Sequence, residues 1–286
     1  MKRILVATDL SPCSANALAR AIGIAARDGA EIRIVHAAVD EAECDDRGAL
    51  HRRIATEARI MAEELTGRTI AFTVRISSAG PGHAIVREAH AFDADLVVLG
   101  SHGEPRFRDA IFGTTGTYVV RHAERPVLVV RNAAFEPYTK TMIAIDGVES
   151  APAIVATALD LAPAAEHFAV HAFSPNLAQV LGGGEEIERQ ETRHELELEK
   201  ILGAVLAGRV PPGASAEHHA IVETGEALDV LMKEAEALNP DLLIMGTRRR
   251  AIYLASEAVD SLFWCAHDVL IVPERESAMA ESAVRM

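Results

Sequence analysis

A glycine-rich segment in the first half of the chain has the residue types and spacing of an anion-binding loop. Gly100-Ser101-His102-Gly103 follows an apolar run, and after nine further residues Gly113-Thr114 opens a helical pattern. Glycines adopt positive φ angles and let a ligand approach the backbone amides closely. The first amides of a helix, helped by its dipole, attract phosphate groups. Because Thr114 and Thr115 add hydroxyl donors, the segment predicts a phosphate-binding site.

Other chemistry at this loop is less well supported. Its spacing is neither GxxxxGK[ST] nor GxGxxG, so it predicts neither a Walker-type hydrolase nor a dinucleotide fingerprint. Ser101-His102 lacks the GxSxG context of a nucleophile elbow. Arg106 and Arg108 could reach the outer phosphates of a ligand, although solvated loop cations are at least as good an interpretation. We therefore predict no catalytic residue and no protein ligand for a metal.

Alternating strand and helix patterns must position this loop. Short β-branched runs are typical of parallel strands buried on both faces, and Ala-rich stretches between them indicate helices. Strands are predicted for the first half at residues 4–7, 32–35, 71–76, 96–99 and 127–130. Helices are predicted at residues 14–28, 50–66, 82–92 and 114–123. Ligands of open α/β sheets bind at the carboxyl ends of the strands, which directs attention to Thr8-Asp9, His36-Ala37 and Gly100-Ser101.

The same landmarks recur in the same order in the second half. Asp146 stands at the position that matches Asp9, and His171 at the position that matches His36. A helix that begins at a glycine and a final apolar run also recur. Both histidines end buried strands, so a structural role is favoured over a catalytic one. The repeat predicts two tandem doubly wound α/β domains, each a five-stranded, mainly parallel sheet flanked by helices. We expect these domains at residues 1–133 and 138–273, with a mobile tail at 274–286.

The loop and its context resemble the universal stress protein family. The pattern G-x2-G-x9-G-[ST] after the fourth strand, an aspartate ending the first strand and a closing PVLVV run all stand in the family's order. The resemblance covers essentially the whole chain as two tandem domains. It implies a stress-response regulatory protein that binds an adenine nucleotide, ATP or AMP, in the first domain. It also implies that the last strands of the two halves pair as an intramolecular pseudo-dimer, and it leaves a further homodimer open.

The same resemblance implies which residues contact the nucleotide. Asp9 would accept a hydrogen bond from the ligand beside Thr8, and Ala37 would offer backbone contacts to adenine. Leu99 and Gly100 would line the ribose. The remaining contacts would come from His102 facing the ligand and from residues around the phosphates, namely Gly103, Gly113, Thr114 and Thr115. A Mg²⁺ ion would be held by the phosphates and water rather than by the protein.

The second half departs from this pattern at its phosphate loop. Gly246 aligns with the first loop glycine, but Arg249 and Ala255 stand where the next two loop glycines would be. The second loop is also four residues shorter. Because the added Cβ atoms and the shorter loop should block the phosphate path, we predict a second domain that is degenerate for ATP.

Two other functions are compatible with the sequence. Slow, metal-dependent ATP hydrolysis would be weak, because the sequence offers neither a clear general base nor a Walker lysine. A scaffold could instead hold a non-nucleotide ligand in the second domain near Arg248, Arg249 and Arg250. A solvated basic loop is the favoured interpretation of these three arginines.

Composition excludes several further classes of protein. The 28 Lys and Arg residues against 42 Asp and Glu residues leave a net charge of −14, which argues against nucleic acid or an anionic membrane as the main partner. No apolar run approaches the ~18 residues of a membrane span, and three cysteines without CxxC spacing signal neither disulfides nor a zinc knuckle. The first apolar run is interrupted at Asp9, so we expect no secretory signal and a cytoplasmic protein.

Overall fold

The strands and helices follow the predicted α/β alternation. The computed structural model describes residues 1–38, 46–101, 113–132, 135–146, 151–175, 184–207, 209, 217–247 and 267–273. The first half contains β1 (Arg3–Thr8), α1 (Pro12–Asp28), β2 (Glu31–Ala37), α2 (Arg47–Thr66), β3 (Phe72–Ser77), α3 (Pro81–Phe92), β4 (Leu96–Gly100), α4 (Gly113–His122) and β5 (Val127–Val130). The second half contains β6 (Lys140–Ala144), α5 (Ala151–Leu161), β7 (Glu166–Phe173), α6 (Gly184–Ala207), β8 (His218–Thr224), α7 (Ala227–Leu238), β9 (Leu242–Thr247) and β10 (Asp268–Pro273). The predicted fold class is confirmed, whereas the tail at 274–286 lies outside the described residues.

All strands of the described chain belong to one ten-stranded sheet, in the order β3-β2-β1-β4-β5-β10-β9-β6-β7-β8. The pairs inside each half are parallel, and the two halves meet where β5 and β10 run antiparallel. In that central pair Val269 lies opposite Val129 and Leu270 opposite Leu128. The last strands therefore pair across the halves, as the repeat and the resemblance led us to expect.

The buried side chains are grouped differently on the two faces of this sheet. On the face covered by α1, α2, α5 and α6, the buried side chains form one apolar cluster that contains Ile4 and Leu128 from the first half and Ile143 from the second. On the opposite face the core is divided, with one cluster beneath α3 and α4 and another beneath α7. In the described part of the chain the halves thus share one continuous cluster on the first face, whereas on the opposite face Val120 of α4 packs against both clusters. Among the described helices, none has the length and apolar character needed to cross a bilayer.

A buried ionic network reinforces the junction of the halves. Asp268, the first residue of β10, has no exposed surface, and its Oδ1 accepts hydrogen bonds from the amides of Arg131 (2.8 Å) and Asn132 (3.1 Å). Its Oδ2 accepts one from the Tyr138 hydroxyl at 2.7 Å and lies 3.4 Å from Nε of Arg20 in α1. Burial, and then the Asp268 charge, raise the pKa of the Tyr138 hydroxyl well above its usual range, so it remains a donor. The Asp268 carboxylate of the second half therefore holds the segment between the two halves, at Arg131, Asn132 and Tyr138, against α1 of the first half.

Candidate functional site

A cavity of about 600 Å³ opens at the carboxyl ends of β1, β2 and β4 in the first half. This edge is where ligands bind in open α/β sheets. Six of the residues predicted from the sequence line the cavity, and they are Thr8, Asp9, Ala37, Leu99, Gly100 and Thr115. The volume lies within the range of roughly 300–1,000 Å³ that is usual for small-molecule sites. The topology therefore brings together residues that are more than a hundred positions apart in sequence.

Four other predicted residues are placed differently. Gly113 and Thr114 are the first residues of α4, and Thr114 is exposed and does not line the cavity. His102 and Gly103 lie outside the described residues, as do the loop arginines Arg106 and Arg108. The described part of the predicted phosphate loop is thus its two ends, at Gly100-Ser101 and at the first turn of α4.

One wall of the cavity is apolar. Val35 and Leu99 of the sheet face the cavity together with Ala84 and Ile85 of α3. The sequence analysis missed the two α3 residues. A signal was available, because the helix after the third strand begins with Pro81 at the same edge of the sheet. An apolar wall of this kind suits a flat, weakly polar ring system.

The opposite wall is polar and is built by the tight turn between β1 and α1. Leu10 has φ of 64°, a left-handed conformation that is uncommon for a bulky residue and that costs about 1–3 kcal/mol. Two side chains hold the turn, because Thr8 Oγ1 accepts from the Leu10 amide at 3.1 Å and Asp9 Oδ1 accepts from the Ser11 amide at 3.0 Å. Thr8 Oγ1 also lies 3.1 Å from the Ser14 hydroxyl. The turn therefore fixes Asp9 at the cavity before any ligand arrives.

Asp9 contributes a negative charge at this wall. Partial burial by itself raises the pKa of the carboxyl, but hydrogen bonds from the hydroxyl and amide of Ser11, and from Ser14, outweigh it and hold the pKa below the ordinary value. An ionised carboxylate only accepts hydrogen bonds, so it favours hydroxyl groups and repels phosphates. Thr115 and Gly116 line the cavity from the first turn of α4, where the helix dipole is positive. The cavity lining thus includes a carboxylate that accepts hydrogen bonds from hydroxyl groups and a helix start that attracts anions.

Gly100 has a packing role that the sequence analysis did not predict. A Cβ atom at this position would lie 2.4 Å from the Cys13 carbonyl oxygen and 2.8 Å from the Ser14 amide nitrogen. Both contacts are with backbone, which cannot move aside cheaply. The absence of a side chain therefore lets the end of β4 meet the start of α1, and Cys13 and Ser14 line the cavity as a result. Sequence spacing alone does not reveal this approach.

The two strand-end histidines have equivalent contacts in the two halves. Nδ1 of His36 lies 2.9 Å from the Thr8 carbonyl oxygen, and Nδ1 of His171 lies 2.8 Å from the Ile145 carbonyl oxygen. Because a carbonyl oxygen only accepts, Nδ1 must carry the proton in each ring. Each histidine fastens the end of its strand to the neighbouring strand, and neither lines the cavity.

The second half keeps two apolar residues of the site but lacks the Thr8 hydroxyl of its polar turn. At the positions equivalent to Val35 and Ala37 it has Val170 and Ala172. At the position of Thr8, however, it has Ile145, which is buried and carries no hydroxyl. This substitution was not noticed in the sequence analysis. The predicted differences at Arg248, Arg249, Arg250, Ala255 and Ser256 lie outside the described residues.

Comparisons with known proteins cover both halves of the chain. The sequence model of the Universal stress protein family matches residues 1–131 and 137–272. A universal stress protein of Mycolicibacterium smegmatis (strain ATCC 700084 / mc(2)155) is 30% identical over 134 residues, which are 45% of this chain and 45% of that protein. A Staphylococcus aureus (strain USA300) protein named for the same family is 30% identical over 154 residues, covering 49% of this chain and 92% of the relative. The chain thus spans less than half of the mycobacterial relative that it matches.

A solved structure matches almost the whole chain. The crystal structure of a universal stress protein from Archaeoglobus fulgidus DSM 4304 superposes with a TM-score of 0.69. The match covers 95% of this chain and 98% of the archaeal chain at 17% sequence identity. At this identity the likeness concerns the fold, and it includes both halves.

Proposed function

The chain belongs to the universal stress protein family, and from this premise we propose that its first half binds an adenine nucleotide, ATP or AMP, in the cavity beside Asp9. The observation that carries the proposal is the polarity of the cavity. Its lining combines a carboxylate acceptor, an apolar wall and the start of α4. A nucleoside phosphate has matching groups, namely a hydroxylated sugar, a flat base and an anion.

The chemistry of the lining residues suggests one orientation of the nucleotide. The base packs against Val35, Ala37 and Ile85, where the surface is apolar. The ribose hydroxyls donate to Asp9, which is ionised at neutral pH. The phosphates extend towards Thr115 and the positive end of the α4 dipole, away from the carboxylate. In this orientation Mg²⁺ would be held by the phosphates and water.

We infer a regulatory rather than a catalytic role for the bound nucleotide. Of the described residues that line the cavity, Asp9 alone carries a carboxylate, and none is a lysine or a histidine; His102, which we expected to face the ligand, lies outside the described residues. Asp9 also accepts hydrogen bonds within its own turn, so it is poorly placed to activate water. Hydrolysis of ATP would therefore be slow, and occupancy of the cavity would serve as a stress-linked signal to other proteins.

The first experiment is to denature the purified chain and to quantify released nucleotides by mass spectrometry. About one adenine nucleotide per chain is expected, because a ligand that binds the native state is retained through purification when its affinity is high. About two per chain would contradict a degenerate second half. If none is released, calorimetric titration of ATP and AMP decides, and the lack of saturable binding of either would overturn the proposal.

Substitutions at equivalent positions of the two halves then test which half binds the nucleotide. Asp9→Ala should weaken ATP binding, whereas Asp146→Ala at the equivalent position of the second half should leave it unchanged. Gly103→Arg should abolish binding with the fold intact, because it imitates Arg249 of the second half. Unchanged ATP affinity in both first-half variants would show that the nucleotide binds elsewhere.

A further inference from the structure

Three potential metal ligands converge on β7 and β8, at the end of the ten-stranded sheet that belongs to the second half. The cavity described above lies in the first half. Glu166 is the first residue of β7, Glu217 directly precedes β8, and His219 is the second residue of β8. Their ligand atoms all lie within 4.8 Å of one another. We propose that Glu166, Glu217 and His219 bind a divalent transition-metal ion such as Zn²⁺. This site is separate from the proposed nucleotide site and does not depend on it.

The strand register explains why the three side chains share one face. β7 and β8 are parallel, with His167 opposite His218 and Phe168 opposite His219. Side chains alternate between the faces of a sheet, so Glu166 lies on the same side as Phe168, and Glu217 on the same side as His219. The register also sets the two glutamates beside each other. Like charges directly opposite destabilise paired strands, and a cation between them removes this cost.

The imidazole is already oriented towards the first glutamate. Nε2 of His219 lies 3.1 Å from Oε1 of Glu166. The ring stacks on Phe168 with a centroid distance of 4.7 Å and an interplanar angle of 19°. This stack restricts the imidazole while leaving Nε2 directed at the carboxylate. His219 therefore adds a nitrogen ligand to the two carboxylates, and Phe168 holds its imidazole in place.

The distances suit a small transition-metal ion. Ligand atoms about 2.0–2.2 Å from a tetrahedral ion are separated from one another by about 3.3–3.6 Å. The Glu166 and His219 atoms are already at nearly this spacing, and Glu217 is exposed and can rotate towards them. Two carboxylates with one imidazole favour zinc or a neighbouring first-row metal over Ca²⁺, and water would complete the coordination. The bound ion would tie the edge strand β8 to β7.

Calorimetric titration of the full chain with Zn²⁺ alone, after treatment with a chelator and without nucleotide, tests the site. Saturable binding is expected in the native protein. Glu217→Gln and His219→Gln should each weaken it on the order of tenfold or more, since even indirect supports of metal ligands contribute that much. His218→Gln is the matched control, because this neighbouring histidine points to the other face, and it should bind Zn²⁺ like the native chain.

Two results would overturn the metal site. One is the lack of saturable Zn²⁺ binding in the native protein, which would leave Glu166 and His219 as a simple ion pair. The other is native affinity in both Glu217→Gln and His219→Gln. Glu217→Gln keeps the stack of His219 on Phe168 and therefore tests the ligand set without disturbing the strand. A rise in Tm on adding Zn²⁺, present in the native protein and lost in this variant, gives an independent readout. None of these outcomes bears on ATP binding in the first half.

Discussion

The two halves of this chain share contacts that hold the strand ends together, but they differ in the polar residues beside those ends. In both, a histidine fastens one strand end to its neighbour, through His36 and through His171. Only the first half has the hydroxyl of Thr8 in the turn beside the cavity, and Ile145 replaces it in the second. The comparison teaches that packing residues persist in a duplicated fold because both copies need them to fold. The Thr8 hydroxyl, which lies beside the site that we propose binds the nucleotide, has no counterpart at the equivalent strand end of the second half.

The largest expected effect concerns a charge that is present in the last strand of the second half only. Asp268 occupies the repeat position of Pro126, and its carboxylate lies in a buried ion pair with Arg20. Asp268→Ala should lower the free energy of unfolding by about 3–5 kcal/mol, because Arg20 would be left buried without its partner. Urea denaturation measures this change. Asp160→Ala, which removes an exposed ion pair with Arg209, is the control and should cost less than about 1 kcal/mol. Equal losses in the two variants would contradict the role of the junction.

A second difference between the halves makes stability depend on pH. Where the first half pairs Ile4 with Ile32, the second pairs Thr141 with His167, whose Nδ1 lies 2.7 Å from the threonine hydroxyl. Burial lowers the pKa of His167 to about 4 from an ordinary 6.5. The unfolded chain therefore binds a proton more readily, and stability is lost as the pH falls from 6.5 towards 4. The loss is on the order of 3 kcal/mol.

Urea denaturation at a series of pH values checks this difference. The double variant Thr141→Ile/His167→Ile reproduces the first-half pair and should lose the part of the pH dependence that His167 causes. Other histidines and carboxylates titrate equally in both proteins, so the difference between the two profiles isolates this pair. Parallel profiles between pH 4 and 6.5 would show that His167 is not the group responsible.

The smallest expected effect concerns the turn itself. Thr8→Ile copies Ile145 and removes the acceptor of the Leu10 amide, so Asp9 is held less firmly. ATP affinity should fall by about tenfold, which corresponds to about 1.4 kcal/mol. Calorimetry measures the change, and Thr8→Ser, which keeps the hydroxyl, should restore binding. Ile145→Thr should not create a second site, since the second phosphate loop differs as well. A second equivalent of bound ATP in that variant would contradict our interpretation of the halves.

Much of the fold follows from local patterns in the sequence. Every strand and helix predicted for the first half is present with ends within three residues, because β-branched runs and Ala-rich stretches alternate clearly. The order of landmarks also predicted the duplication, and the resemblance to the family implied the pairing of the last strands. Residues that the topology of an α/β sheet places at strand ends, such as Asp9 and Gly100, line the cavity, and their role in binding a nucleotide stays a prediction.

The remaining features depend on contacts that local patterns do not contain. The approach of Cys13 to Gly100 is set by how α1 packs on β4. The buried ion pair of Arg20 and Asp268 joins a residue of the first half to a residue of the second half. The cluster that includes Glu166 requires the register of β7 and β8, which a shift of a single residue would destroy.

The central position of β10 has a consequence for synthesis on the ribosome. β5 ends at Val130, but the strand that covers its free edge ends at Pro273, some 140 residues later. At 5–20 residues per second this delay is roughly seven to thirty seconds. During that time a nascent first half presents an unpaired apolar edge, which invites pairing with a neighbouring nascent chain. The duplicated architecture therefore needs protection of β5 while it is being made, even though the finished sheet has no gap at its centre.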